Sequence, residues 1–289
     1  MRLFAALAAF AVALPAWPYE RSRVGPTGPF LYWATRGHSY QIDSRGTPDV
    51  TDGSAFDAVR KSYATWAAVS CSDLQFQEET PPAATDRQIG YVQGGTNHNL
   101  VLWRTKSCAT VVPSGDACQT QGGCNNKYDC WEGSSQAIAT TTTTSRTSTG
   151  EILDADIEMN DVGFPFTTAD SPPCPAGGPY SGCVAFDVQN TVTHEAGHTI
   201  GLAHSADPAA TMYATAPGGQ TSKRTLGADD IAGICFIYPK GGPTATDSGS
   251  SSTPPSSPMA GGCGSAGAAS WEALLVAAAL WRSRRRGRS

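Results

Sequence analysis

Eleven consecutive residues constrain this chain more than any other stretch: His194-Glu195-Ala196-Gly197-His198-Thr199-Ile200-Gly201-Leu202-Ala203-His204. Residues four apart lie on one face of an α-helix, so His194 and His198 can present both imidazoles to one ion if the segment is helical. Glu195 follows the first histidine directly. It is offset around the helix and can touch a water on that ion without ligating the ion itself. His204 lies only six residues beyond His198, too near to aim at the same point from a helix that continues. The backbone must turn sharply, and Gly201 is the residue that tolerates the positive φ of such a turn. Three neutral imidazoles leave a fourth position open, the pattern of a catalytic rather than a structural zinc site. The chain holds five histidines and three of them fall in this window, which argues against a chance scatter of surface residues.

The flanking sequence supplies a scaffold. A helix is expected near 187–202, with Asp187 able to cap its start and Val188 and Val192 on its apolar face. A second helix is expected from Ser54 to Val69, capped by Asp52 or Ser54, because Phe56, Val59, Tyr63 and Trp66 repeat at helical spacing. A third falls near Ala228–Tyr238. Strands are expected at Leu74–Phe76, Ile89–Val92 and Leu100–Trp103. Two more, Ala137–Ser145 and Ile152–Met159, are joined by a turn at Ser148-Thr149-Gly150. Between Leu100–Trp103 and Ala137–Ser145 lies a Gly/Cys-rich insertion over 108–135. The element order implies a mixed α+β fold, a twisted sheet on two long helices with a small C-terminal part after His204.

A net charge of −5 offers no footprint for nucleic acid. Nine cysteines are many for a cytosolic chain, and none lies in a C-x-x-C pair, so disulfides formed in an oxidising compartment are expected. Eight precede residue 241, enough for on the order of a hundred pairings. Cys174 and Cys183 are near enough in sequence to close the loop between them. Arg2, the apolar run Leu3–Leu14 and small residues up to Ala16 read as a secretory signal peptide over residues 1–16. One domain is expected over 17–240, then a Gly/Ser/Thr/Pro-rich linker over 241–262. Residues 263–289 hold Cys263, an apolar run from Ala266 to Trp281 and five arginines. That run is short for a membrane span of about 20 residues. The tail from Gly262-Cys263 onward resembles the tripartite sorting signals called Myxo-CTERM. The resemblance implies transient membrane association, processing near Cys263 and delivery to the cell surface or outside.

The eleven-residue motif resembles that of the metzincin metalloproteases. Met212, in Ala210-Thr211-Met212-Tyr213, stands where that group has a methionine in a turn beneath the metal. Ser205 directly after the third histidine and the Met212-Tyr213 pair are similar to the matrixins. So are Leu226–Ile234 and Thr149–Glu158, the latter as in bacterial members, and the likeness spans roughly residues 27–239. It implies a zincin-type α+β domain and a monomeric zinc endopeptidase acting on extracellular protein, with Glu195 as general base. It further implies a shallow cleft edged by the strand near Ala137–Thr141. The loop from Ala214 to Thr225, polar and with Gly218, Gly219 and Lys223, would wall the pocket for the side chain following the scissile bond. Glu158 and Asp161 fall where matrixin calcium carboxylates lie, and hard oxygen donors suit that ion.

The chain also departs from the family pattern. No cysteine precedes Cys71, so latency through a propeptide cysteine on the zinc is not expected. Only His38 and His98 remain for the family's second, structural zinc, and Asp156 takes one of its histidine positions, so that site is not expected. Two other readings stay open on sequence: a surface-displayed binding protein on an inactive scaffold, and a zinc hydrolase acting on a non-protein amide.

Overall fold

The computed structural model describes residues 19–79, 87–169 and 185–246. The signal-peptide, linker and tail readings, with Cys174 and Cys183, lie outside the described residues.

A five-stranded sheet is built from β1 (Gly37–Ile42), β2 (Gln75–Glu78), β3 (Leu100–Arg104), β4 (Ala139–Ser145) and β5 (Ile152–Asn160), in the order β2-β1-β3-β5-β4. All neighbours are parallel except β4, which runs antiparallel to β5 and forms one edge. Parallel neighbours need a crossover, and β1 reaches β2 through α1 (Ser54–Ala67). The strand β1 has no counterpart among the sequence expectations. Its alternation of His38, Tyr40 and Ile42 on the buried side is short and interrupted by Gln41, which is buried too.

The expected strand at Ile89–Val92 is a loop instead. Its amides are taken by side chains, Ile89 N–H by Asn126 Oδ1, Gly90 N–H by Asp156 Oδ2 and Val92 N–H by Asn97 Oδ1, and Tyr91 and Val92 are exposed. Backbone donors satisfied in this way have none left for a ladder.

Between β3 and β4 the insertion folds as three short turns of helix, α2 (Cys108–Val111), α3 (Cys118–Gln121) and α4 (Cys124–Tyr128). It is closed by the disulfides Cys108–Cys130 and Cys118–Cys124. A third disulfide, Cys71–Cys235, ties the segment after α1 to the last helix. A two-stranded pair, β6 (Phe166–Thr167) and β7 (Phe186–Asp187), leads into α5 (Val188–Thr199), and α6 (Ala228–Ile237) closes the described chain.

The helices α1 and α5 pack against each other and on the sheet because each carries an apolar stripe. On α1 it is Ala55, Ala58, Val59, Tyr63 and Trp66; on α5 it is Val188, Val192 and Ala196. Trp66 is fully buried, and its indole N–H donates to Thr193 O at 2.8 Å, so the largest core side chain also fixes the helix–helix register. Asp52 does not cap α1 in the expected sense. Gly53 is the N-cap at φ +86°, and the Asp52 carboxylate accepts from the Ser54 amide and hydroxyl just outside the helix. After His204 the chain is not a separate hydrophobic unit, for Ile234, Ile237 and Tyr238 join the main core cluster.

Candidate functional site

The helix that carries the first two histidines is well delimited. Asp187 is its N-cap, its carboxylate accepting from Asn190 N–H at 2.7 Å, and Arg224 pairs with the same carboxylate. At the other end Trp33 Nε1 donates to Thr199 O at 2.7 Å and the Tyr238 hydroxyl to Ile200 O at 2.9 Å. Those carbonyls would otherwise be left without partners where the helix stops.

Gly201 then turns at φ +90°, and a Cβ there would lie 2.5 Å from Leu31 O. Both the left-handed backbone and the close approach of Leu31 require glycine at this position. The turn brings His204 back toward α5. His198 Nε2 and His204 Nε2 stand 3.2 Å apart, and ligating atoms of His194, His198 and His204 all lie within 4.8 Å of one another.

Their other ring nitrogens show which atoms face inward. His194 Nδ1–H donates to Thr211 O at 2.6 Å and His198 Nδ1–H to Leu202 O at 2.8 Å. With those protons committed, the Nε2 lone pairs point into the site. His194 Nε2 is buried without a hydrogen-bond partner, and lone pairs crowded this closely are stabilised by a shared cation. Burial pushes all three imidazoles toward the neutral form, His198 to about 4, His204 to about 3 and His194 well below its ordinary value. Neutral nitrogen donors in this number and spacing suit zinc, so the residues present fit the ion.

Glu195 is buried beside them. Desolvation raises its carboxyl to about 7, and the hydroxyl of Thr141 on β4 opposes that rise by donating to Oε2 at 2.6 Å.

Beneath the histidines the chain from Ser205 to Tyr213 closes a turn, with Ser205 N–H on Met212 O at 2.9 Å. Met212 is buried against α5, and a Cβ on Gly197 would collide with its sulfur and lie 2.9 Å from Trp66 Cζ2. The turn is held by a residue that the sequence reading passed over. Asp230, in the first turn of α6, accepts from Thr211 N–H at 2.6 Å, Met212 N–H at 2.9 Å and Gly227 N–H at 2.8 Å. An acidic residue three positions after a helix-starting glycine is a capping signal, but nothing local shows that it also reaches the methionine turn.

These observations, a helix-borne histidine pair, a third histidine returned by a glycine turn and a methionine turn beneath, coincide with a family match. Residues 32–239 match the Matrixin family. The chain belongs to the matrixin family. Like matrixins, it is similar to human matrilysin, with 48% identity over 48 residues, covering 17% of this chain and 18% of that protein. It is also similar to soybean (Glycine max) metalloendoproteinase 1, at 46% over 54 residues, 19% of this chain and 17% of that one. Human neutrophil collagenase is 53% identical over 45 residues, 16% of this chain and 10% of that one. In each case this matrixin matches under a fifth of the relative's length.

The carboxylates expected at a matrixin calcium site have other partners. Glu158 is buried and accepts from Arg104 Nε at 2.6 Å and from Asn125 Nδ2. Arg104, itself fully buried, continues to Asp129 at 2.8 Å, and Arg87 links Asp129 to Asp43. A guanidinium thus supplies the positive charge beside Glu158. Asp161 donates its backbone N–H to Arg104 O at 3.0 Å, and its carboxyl is raised to about 7 by burial and by the nearby Asp49, against a lowering by a bond from Thr47. Among the described residues the three histidines are the one group of three or more donors placed to share a metal.

Proposed function

We propose that this matrixin is an exported zinc metalloendopeptidase in which His194, His198 and His204 hold the metal and Glu195 acts as general base. The observation that carries this reading is the convergence of three Nε2 lone pairs beside a buried carboxylate that is itself held by Thr141. Zinc, when bound, lowers the pKa of a ligated water from about 15.7 to about 7 and polarises a carbonyl oxygen. Glu195 accepts the proton of the attacking water at its carboxylate and returns it to the leaving nitrogen. Its elevated pKa matches that two-way role, since a group titrating near neutrality can both take and give a proton. The backbone carbonyls of Thr211 and Leu202 hold the imidazole tautomers, so that the ligating nitrogens need no reorientation.

The substrate is an extended peptide. As the outer strand of the sheet, β4 offers backbone groups that such a chain can pair with, and Thr141 on that strand contacts Glu195. Docking along β4 would therefore deliver the scissile bond to the base. The three disulfides among the described residues fit folding in an oxidising compartment. This agrees with reading residues 1–16 as an export signal and 263–289 as a sorting tail that leads to the cell surface or outside.

The test is digestion of casein or gelatin by the zinc-loaded protein, with and without a chelator, alongside Glu195→Gln. Chelation should abolish cleavage. The variant should retain zinc at the wild-type stoichiometry while losing about a hundredfold to ten-thousandfold in turnover. Full activity in Glu195→Gln would refute the base assignment, and failure of the wild type to bind zinc would refute the metal site.

A further inference from the structure

Residues 22–31 form a hairpin that lies against the turn between the second and third histidines. Within it Val24 N–H donates to Pro29 O at 2.9 Å, Leu31 N–H donates to Ser22 O at 2.8 Å, and Arg23 bridges antiparallel to Phe30. The residues leading into its first arm run antiparallel to the histidine turn, with Arg21 bridged to Leu202. Ser22 N–H donates to Gly201 O at 2.9 Å, and Ala203 N–H donates to Glu20 O at 2.9 Å.

One bond of this interface reaches the metal centre. The Ser22 hydroxyl donates to Leu202 O at 2.9 Å, and the same oxygen accepts Nδ1–H of His198 at 2.8 Å. A carbonyl oxygen has two lone pairs. Here one serves the imidazole and the other the serine. The peptide joining Leu202 to Ala203 is thus held at both of its polar groups, its oxygen by Ser22 and its N–H by Glu20 O. Both later histidines depend on where that peptide sits, His198 through its bond to the oxygen and His204 by following Ala203 directly. The backbone bonds already join the two segments, and an alanine at position 22 would keep them. What the hydroxyl adds is a fixed direction for the acceptor that orients the His198 ring, and such acceptors set the tautomer and aim of a metal-binding imidazole.

We propose that Ser22 is a positioning residue of the metal centre: acting through Leu202 O, its hydroxyl holds the His198 imidazole in the orientation that presents Nε2 to zinc. The hairpin is then a working part of the site, although 180 residues separate Ser22 from Leu202. Ser22 itself supplies no ligand. The inference rests on the zinc reading above and gives that site a support lying outside the eleven-residue motif.

The experiment uses the full-length protein. It reads zinc affinity by competition with a chromogenic chelator and the visible band of the cobalt-substituted form, with the melting temperature of the metal-free form showing that each variant is folded. Ser22→Ala should bind zinc about threefold to tenfold more weakly, a smaller loss than for a direct partner of a ligand, and its cobalt band should shift. Ser22→Thr restores a hydroxyl and should return both readouts toward the wild type. Arg23→Ala alters the same hairpin on its exposed side, where the guanidinium reaches Gly28 O and the Phe30 ring, and should leave zinc affinity and the cobalt band unchanged. If Ser22→Ala binds zinc as tightly as the wild type, the proposal is overturned while the metal site stands. Equal weakening in Ser22→Thr or in Arg23→Ala overturns it too, because the effect would then belong to the hairpin's stability and not to the hydroxyl. A wild-type protein that takes up no zinc overturns this inference and the peptidase reading together.

Discussion

The hydroxyl of Thr141 donates to Glu195 Oε2 at 2.6 Å, joining the outer strand of the sheet to the helix that carries the histidine pair. That bond stabilises the ionised carboxylate against the desolvation that raises its pKa to about 7. Removing it in Thr141→Val disfavours the charged form, so the carboxyl titrates at still higher pH. The acid limb of the kcat/KM profile should move upward, with the loss of activity largest below neutrality and least in mildly alkaline buffer. A pH–rate profile of the two proteins checks this; an acid limb in the same place would show that Thr141 does not act through Glu195.

Gly197 sits where any Cβ would collide with the Met212 sulfur and crowd Trp66. Gly197→Ala is otherwise a favourable helix substitution. Here it should instead destabilise the protein by about 1–3 kcal/mol through overpacking, and it should weaken zinc binding by displacing the turn that holds His194. Thermal unfolding and competition with a chromogenic chelator measure the two effects separately.

Arg104 gives Glu158 its counter-ion. Chelating calcium should therefore leave the melting temperature of the zinc-loaded protein unchanged, with a chelator that spares zinc. Arg104→Leu, which strands a buried carboxylate, should cost about 3–5 kcal/mol. A fall in melting temperature on calcium removal from the wild type would show that the guanidinium does not replace the ion.

Burial keeps the three imidazoles neutral, with His198 titrating near 4 and His204 near 3. An unfolded chain binds protons at these positions below about 6.5. The metal-free protein should accordingly lose stability as pH falls from about 6.5 toward those lower values, because the unfolded state takes up more protons. Above about 6.5 these groups should contribute no pH dependence. A melting-temperature series on metal-free protein from pH 8 to pH 4, in the units of the buffers and spanning about these limits, would show a flat region and then a decline of several degrees. A rising melting temperature across the acid range would contradict the neutral-imidazole assignment.

What could be read from the chain alone follows from short-range geometry. The four-residue spacing of His194 and His198, the turn at Gly201, the cap at Asp187 and the aromatic stripe of α1 each depend on residues within a few positions of one another, so helix periodicity and glycine stereochemistry suffice to place them. Strand patterning likewise predicted β3, β4 and β5 and overlapped β2, though it did not find β1, whose place comes from the neighbours that pair with it.

Tertiary structure decided the rest. Asp230 supports the methionine turn from 18 residues away, Thr141 reaches Glu195 across 54, and Cys71 joins Cys235 across 164. Tertiary folding likewise turned Lys223 from a polar loop residue into a buried one beside His194 and Glu195. The amino-acid order specifies these partners only through the packing of the whole domain, because a hydrogen bond or ion pair has no signature in the spacing of residues so far apart. Local spacing was enough to name the donors that would face one metal; which side chains orient, support and surround them was settled when sheet and helices came together.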